Sequence, residues 1–238
     1  MKKTYVLVGN FGSGKSEISL NIAMKANEAK HGSTVLIDMD IVNPYFRSAE
    51  RKDMLGENGI KLIYPQYAMT GVEAMSIPPD IYSVFIDEHE TVVFDVGGDN
   101  TGAIALGQYR RNFAELENLE ILYAINCKRP FSAEAELNLE MMNKICAVSR
   151  LTVTGLINNA NLSNETTTET LYEGYEMVKT ISDLTGIPVR MTVGTEDVIK
   201  GFEALAREKG LEQKYIGELY PITRYMNRDW ERFLQNGI

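Results

Sequence analysis

Seven short segments of the chain consist almost entirely of apolar residues. Val, Ile and Leu dominate these segments, which lie at 4–9, 33–40, 59–65, 90–96, 119–126, 150–158 and 187–194. Strands that are covered on both faces show near-continuous apolar runs, whereas half-exposed strands alternate between apolar and polar residues. The pattern therefore predicts a sheet whose strands are buried on both sides.

Longer amphipathic stretches separate these apolar runs. Apolar residues recur at helical spacing in 16–30, 133–148 and 165–184, with Glu and Lys on the other side of the last two. Alternation of strands with helices is typical of βαβ units. We therefore expect an α/β fold of three layers, doubly wound around a mainly parallel sheet, in a single domain that spans residues 1–238.

The segment from about residue 211 to 238 is less regular. Trp230, Phe233 and Leu234 form a short amphipathic patch near its end. Such a patch either contacts a partner or a membrane, or belongs to a terminal helix that docks on its own sheet. We favour the docked helix.

Composition and charge restrict the classes of function. The 238 residues carry a formal net charge of −9, which argues against non-specific nucleic-acid binding because such binding requires a basic surface. The two cysteines cannot form a disulfide framework, and no apolar run reaches the roughly 20 residues that cross a bilayer. We expect a cytoplasmic protein with neither a nucleic acid nor a membrane as its partner.

A glycine-rich sequence follows the first predicted strand directly. Residues 9–16 read "GNFGSGKS" and match the phosphate-binding pattern G-x-x-x-x-G-K-[ST]. Glycines allow successive backbone amides to turn toward anionic oxygens, and the following helix adds the positive end of its dipole. Lys15 would contact the β- and γ-phosphates, and the Ser16 hydroxyl would bind Mg²⁺. The predicted nucleotide-binding residues are Gly9, Asn10, Phe11, Gly12, Ser13, Gly14, Lys15 and Ser16.

An aspartate and two glycines close the apolar strand in "TVVFDVGGDN". Asp95 at this strand end is placed to hold a Mg²⁺-bound water, and Gly97 and Gly98 allow the backbone to approach a γ-phosphate. The alternative is an aspartate that only caps a turn. We favour the metal-associated role because the phosphate-binding pattern precedes it.

Two further carboxylates close the strand in "VLIDMDIVNPYFRS". Alternation places Asp38 and Asp40 on one face at the carboxyl end of the strand, where ligands bind in open α/β sheets. One could contact the metal while the other orients or deprotonates an attacking water. The alternative is that both carboxylates are solvated and only mark the end of the strand. Residues 43–45 would form the following turn, and Arg47 could neutralise phosphate charge.

The order of these motifs resembles that of the MinD/ParA/nitrogenase-iron-protein family, also called the CobQ/CobB/MinD/ParA nucleotide-binding domains. The resemblance extends from residue 4 to about 200. It implies a P-loop nucleoside triphosphate hydrolase fold, a homodimer and a protein partner. It also implies that Asp38 and Asp40 belong to one nucleotide-sensing switch, with Asp40 activating water. Asp95, Gly97 and Gly98 would belong to the other switch.

The same resemblance suggests how the base is bound. In "TGLINNANLS" the position from which this family reads adenine with an asparagine amide corresponds to Asn159, with Asn158 as the second choice. The amide can both donate to and accept from adenine. Val193 and Gly194 would flank the ring. The segment "NCKRP" at 126–130 lacks the Asp of the guanine-reading N-K-x-D pattern, which favours ATP over GTP. The alternative for the asparagine pair is a turn former.

One residue departs from the family pattern. Many members carry a second lysine at the position of Asn10 and use it across a dimer to stabilise charge in the transition state. A neutral side chain there suggests that hydrolysis is slow or depends on a partner.

The sequence leaves three functions open, of which we favour an ATPase switch. The second is a cobyrinate- or dethiobiotin-type synthase, for which Arg47, Arg110 and Arg111 are candidate substrate contacts. The third is a regulator that binds a nucleotide with little turnover.

Overall fold

A computed structural model describes residues 2–30, 33–40, 48–65 and 78–226. Its described part contains one sheet of eight strands in the order β3-β2-β4-β1-β5-β6-β7-β8, and every neighbouring pair is parallel. The strands are β1 (Lys3–Val8), β2 (Thr34–Met39), β3 (Lys61–Ile63), β4 (Thr91–Val96), β5 (Leu119–Ile125), β6 (Gly155–Asn158), β7 (Val189–Gly194) and β8 (Glu218–Pro221). The expected α/β class with a parallel sheet is confirmed.

Helices cover both faces of this sheet. They are α1 (Lys15–Lys30), α2 (Lys52–Glu57), α3 (Ser83–Ile86), α4 (Asn100–Gly107), α5 (Arg110–Ala114), α6 (Ala135–Ser149), α7 (Thr168–Thr185) and α8 (Glu196–Lys209). Side chains alternate between the faces, so Leu7 packs with Ile18 of α1, whereas Val6 and Val8 belong to the core that includes Tyr175 of α7. Burial on both faces explains the near-continuous apolar runs in the sequence.

The register brings the ends of the central strands to one edge of the sheet. Asp95 of β4 pairs with Asp38 of β2 on one side and with Leu7 of β1 on the other. Ile125 of β5 pairs with Asn158 of β6. Because all these strands run in the same direction, the residues that follow them share the edge at which open α/β sheets bind ligands.

The boundaries of the elements differ from the expected ones in two regions. The run at 150–158 forms a strand only from Gly155 onward, and its first residues approach the sheet without joining it. The segment after residue 211, expected to be irregular, contributes β8 at the edge of the sheet. Trp230, Phe233 and Leu234 lie outside the described residues, as does the docked helix that we expected there.

The C-terminal segment 222–226 packs on the polar side of α1. Asn21 donates through Nδ2 to the Thr223 carbonyl and accepts through Oδ1 from the Thr223 amide, both at 2.8 Å. The Glu17 carboxylate accepts from the backbone amides of Tyr225, at 2.6 Å, and Met226, at 3.1 Å. These hydrogen bonds attach residues 223–226 to the helix that begins at the glycine-rich sequence.

Replacing Asn21 with alanine should weaken this attachment. Asn21 is 2% exposed, so its loss leaves the backbone groups of Thr223 without partners and should lower the free energy of unfolding by about 1–3 kcal/mol. Urea unfolding of Asn21→Ala measures this change. Asn27→Ala is the control, because Asn27 lies on the same helix and makes an exposed bond to the Asn58 carbonyl. Equal losses in the two variants would contradict the prediction.

None of the helices in the described part of the chain combines the length and the apolar character needed to cross a membrane.

Candidate functional site

Residues 9–16, called the phosphate loop below, connect β1 to α1 in a tight turn. The amide of Ser13 donates to the Asn10 carbonyl at 3.2 Å, and Ile18 donates to the Gly14 carbonyl at 3.1 Å as the helix begins. Gly14 has a φ of +84°, and a Cβ there would lie 2.2 Å from the Nδ2 atom of Asn159. Both the dihedral and the space therefore require glycine at this position. The expected strand–loop–helix context is confirmed.

Lys15 lies at the centre of the site. Its side chain is 7% exposed, and its Nζ atom donates to the Asn10 carbonyl at 2.9 Å. Burial lowers the pKa of Lys15, while the negative charges of Asp95, Asp40 and Asp99 act in the opposite direction. The ammonium group thus has few contacts with water, and a phosphate group would supply the negative charge that stabilises it.

Asp95 carries a polar atom that the described residues leave unsatisfied. The residue is 1% exposed, and its Oδ2 has no hydrogen-bond partner among the described residues. Burial raises the pKa of Asp95, which the Ser16 hydroxyl and the Lys15 charge partly offset. An unsatisfied buried carboxylate oxygen beside a serine is suited to a cation or to a water that a cation holds. The residues present therefore fit Mg²⁺.

Asp38 fixes the backbone at the same edge of the sheet. It is fully buried, and its two oxygens accept hydrogen bonds at 2.9 Å from the backbone amides of Asp40 and Ala49. The carboxylate thereby connects the amides of Asp40 and Ala49 and orients Asp40. Its role as a metal ligand remains a prediction. Arg47 and residues 43–45 lie outside the described residues.

The glycine pair after β4 closes the site from one side. A Cβ on Gly98 would lie 2.7 Å from the Phe11 amide nitrogen and 2.9 Å from the Nζ atom of Lys15. A Cβ on Gly97 would lie 3.3 Å from Oδ1 of Asp40. Only glycine permits the approach at position 98. The two acidic strand ends and the phosphate loop therefore converge, as the sequence predicted.

Asn10, which stands where many members of the resembling family have a second lysine, is hydrogen-bonded within the protein. The residue is 3% exposed, and its Nδ2 lies within hydrogen-bond distance of the Phe131 carbonyl (2.8 Å), the Ser132 hydroxyl (3.0 Å) and the Tyr123 hydroxyl (3.4 Å). The side chain points into the protein and holds the phosphate loop against the segment after β5. Its amide group is used within the protein to fix the loop.

The two neighbouring asparagines after β6 point in different directions. Asn159 donates from Nδ2 to the Ser13 carbonyl of the phosphate loop at 2.7 Å. Asn158 is turned toward α7, where its Nδ2 donates to the Leu171 carbonyl at 3.0 Å and its Oδ1 accepts from the Ala160 amide at 3.2 Å. Of the two, only Asn159 contacts the phosphate loop.

The residues expected to flank the base lie at the end of β7. Val193 is fully buried in the core beside α1, and Gly194 accepts a hydrogen bond at 2.8 Å from the amide of Ile222. The C-terminal segment therefore runs beside this strand end. Their contact with a base remains a prediction.

Sequence reasoning missed Asn126, which connects three segments of the site. It is fully buried; its Oδ1 accepts from the Asn161 amide at 3.0 Å, and its Nδ2 donates to the carbonyls of Asn161 (3.2 Å) and Gly12 (3.5 Å). The available signal was its position: like Asp95 and Asn159, it is a polar residue at the end of an apolar strand.

The carboxylates do not form a complete metal cage. Among the described residues, no group of three or more His, Cys, Asp or Glu side chains could hold a metal ion. Mg²⁺ in nucleotide sites is commonly held by one or two carboxylates together with substrate phosphates, so the arrangement suits a cation that arrives with a phosphate ligand.

Comparison with known proteins identifies the fold. No protein-family model and no curated protein matches the chain. Similar structures include FtsY from Mycoplasma mycoides, with 17% identity and a TM-score of 0.55 over 81% of this chain and 60% of that chain. Chloroplast FtsY from Physcomitrella patens has 16% identity and a TM-score of 0.54 over 81% of this chain and 58% of that chain.

A third similar structure contains a nucleotide. The signal recognition particle receptor FtsY from Elizabethkingia anophelis, in complex with GDP, has 18% identity and a TM-score of 0.52 over 81% of this chain and 57% of that chain. The chain spans about three-fifths of the length of these proteins. At such low identity the likeness shows the fold alone, which is that of the P-loop nucleoside triphosphatases.

Proposed function

We propose that this protein is a nucleotide-dependent switch of the MinD/ParA type that binds Mg²⁺-ATP and hydrolyses it slowly or with the help of a partner. We place this function in a single domain over residues 1–238, in the cytoplasm. The observation that carries the proposal is the convergence of Lys15, the unsatisfied Asp95 and the Gly98 backbone on the phosphate loop.

Binding would depend on the backbone as much as on side chains. Amides of the phosphate loop and the amino end of α1, which begins at Lys15, provide donors and a positive dipole end for the phosphates. The Lys15 ammonium would leave the Asn10 carbonyl to contact a phosphate oxygen. A phosphate partner would raise the pKa of Lys15 again, because nearby negative charge favours the ammonium form.

Magnesium would be held by the Ser16 hydroxyl and by Asp95, either directly or through a water, with Asp38 in support. The ion would supply positive charge that neutralises the phosphates. The burial of Asp95 favours this assignment, because a buried carboxylate gains most from a nearby cation.

Asp40 is the proposed group that orients or deprotonates the attacking water. It is half-buried, the Asp38 carboxylate fixes its amide, and it faces Gly97. In the triphosphate state the γ-phosphate would contact the loop that carries Gly97 and Gly98. In the diphosphate state this contact would be absent. Such a difference is what biases a switch between two states.

The proposed homodimer and the unknown protein partner have a physical basis beside the site. Phe11 in the phosphate loop is 60% exposed, and Phe131, whose carbonyl Asn10 holds, is 69% exposed. Together these rings would contribute to an apolar patch beside the site that another protein could cover. The buried position of Asn10 supports the view that such a partner, or another residue, must supply any further catalytic cation.

Replacing Asn159 with alanine should reduce the preference for ATP over GTP. We assign adenine to Asn159 because the family resemblance places the base-reading amide at this position; its Nδ2 already donates to the Ser13 carbonyl, so the contact with adenine would use its Oδ1. A site that loses one base-specific hydrogen bond should lose about tenfold in discrimination. Competition of ATP and GTP for the wild type and Asn159→Ala measures this ratio, with Asn164→Ala as the control. A wild-type preference for GTP, as the GDP-bound similar structure would suggest, contradicts the adenine assignment.

The proposed activity is tested by phosphate release. Purified protein with Mg²⁺-ATP alone should release phosphate slowly, and release should rise when cell extract supplies the partner. Release that rises only with a small carboxylic acid would instead indicate a synthase. Tight binding of ATP with no release under any of these conditions would indicate a regulator without turnover.

A further inference from the structure

The segment of residues 126–132, called the β5 loop below, is attached to the phosphate loop on both sides of Arg129. On one side Asn126 donates to the Gly12 carbonyl at 3.5 Å, and on the other Asn10 donates to the Phe131 carbonyl at 2.8 Å. The Arg129 amide donates to the Asn126 carbonyl at 3.0 Å, which closes the turn between these attachments. The backbone of Arg129 is therefore fixed relative to the phosphate loop.

The side chain of Arg129 lies beside Gly12 of the phosphate loop. Its Cγ, Cδ and Nε atoms would each lie 3.6 Å from a Cβ at Gly12, which is van der Waals distance. The residue is exposed, and no ion pair joins it to an acidic side chain among the described residues. The guanidinium group is thus held next to the loop without an acidic partner there.

The acidic side chains around Lys15 outnumber the cations of the phosphate loop, so a second cation would be favourable at this site. Lys15 is the cation within the phosphate loop, and three carboxylates, Asp95, Asp40 and Asp99, act on it. Asn10 is neutral and its amide is occupied within the protein. A triphosphate would add further negative charge to this group. Mg²⁺ would neutralise part of this negative charge, and a cation beside the loop would neutralise more of it.

We propose that Arg129 is a phosphate-binding residue that contacts the polyphosphate of the nucleotide beside Gly12. A guanidinium group presents several donors in one plane, which suits phosphate oxygens better than an ammonium does. Arg129 would supply, from the same chain, the positive charge that the neutral Asn10 does not provide. This inference rests on the proposed function, because it requires that the phosphate loop bind a nucleotide.

Calorimetric titration with Mg²⁺-ATP and with adenosine tests the inference. Arg129→Ala should weaken ATP binding about tenfold to a hundredfold, because a charge-assisted phosphate contact is lost, and should leave adenosine binding unchanged. Arg129→Lys should recover part of the affinity. Arg207→Ala is the matched control, because it removes an equally exposed arginine whose partner, Glu203, lies on α8. The affinity of the wild type should also fall more steeply with salt than that of Arg129→Ala.

The possible outcomes separate this inference from the function on which it rests. Wild-type protein that binds ATP with the same affinity as Arg129→Ala would overturn the inference and leave the proposed function intact. Equal weakening of ATP and adenosine would also overturn it, since that pattern indicates a distorted loop. Absence of ATP binding by the folded wild type would overturn both.

Discussion

Replacing Lys15 with alanine should abolish measurable binding of Mg²⁺-nucleoside triphosphate. Lys15 is 7% exposed, and the negative charges of Asp95, Asp40 and Asp99 act on its ammonium group. Its removal takes away the cation of the phosphate loop and leaves carboxylates facing the phosphates. A charged hydrogen bond in a buried site contributes about 1.5–3 kcal/mol, and the added repulsion brings the expected loss above roughly a hundredfold.

Calorimetry with Mg²⁺-ATP and Mg²⁺-GTP measures this loss. Lys200→Ala is the control, because Lys200 is an exposed lysine that pairs with Glu196 on α8. Circular dichroism should show that both variants retain the helix content of the wild type, which separates loss of binding from loss of folding. Undiminished affinity of folded Lys15→Ala would show that the phosphates bind elsewhere.

Asp40→Ala should bind the triphosphate at least as tightly as the wild type but turn it over about 10²–10⁴ times more slowly. The rate falls because a group that orients or deprotonates water contributes about this factor. The affinity is retained or raised because a negative charge is removed near Lys15 and the phosphates. Single-turnover phosphate release at saturating Mg²⁺-ATP, together with calorimetry, measures the two quantities separately.

Asp53→Ala is the matched control for this variant, because Asp53 is an exposed aspartate on α2. It should leave both affinity and rate unchanged. If Asp40→Ala turned over at the wild-type rate, the role of Asp40 in water activation would be wrong, and Asp38 would not replace it readily, because both its oxygens already accept backbone hydrogen bonds.

Local sequence patterns predicted the fold and the strand–loop–helix turn at residues 9–16 well. The apolar runs identified seven strands because burial on both faces removes the polar positions that otherwise obscure such runs. The glycines of residues 9–16 were informative because the turn requires positive φ angles, which Gly9, Gly12 and Gly14 adopt. In each case a local requirement determines the residue type, so it is visible in the sequence.

Features that depend on contacts between distant segments were not predicted. Asn10 reads as a neutral replacement for a lysine, and only its bonds to Phe131 and Ser132, more than 100 residues away, reveal its anchoring role. The edge strand β8 has four residues, of which Tyr220 alone is buried, so it lacks an apolar run. Arg129 lies beside Gly12 only because the β5 loop is attached at two points.

The central claim is that the phosphate loop of this protein binds a magnesium-chelated nucleoside triphosphate. The measurement that tests it most directly is calorimetric titration of the folded wild type with Mg²⁺-ATP and Mg²⁺-GTP. We expect saturable heat with ATP, and this heat should disappear in Lys15→Ala and diminish in Arg129→Ala. Absence of heat with either nucleotide, from protein whose circular dichroism shows an intact fold, would contradict it.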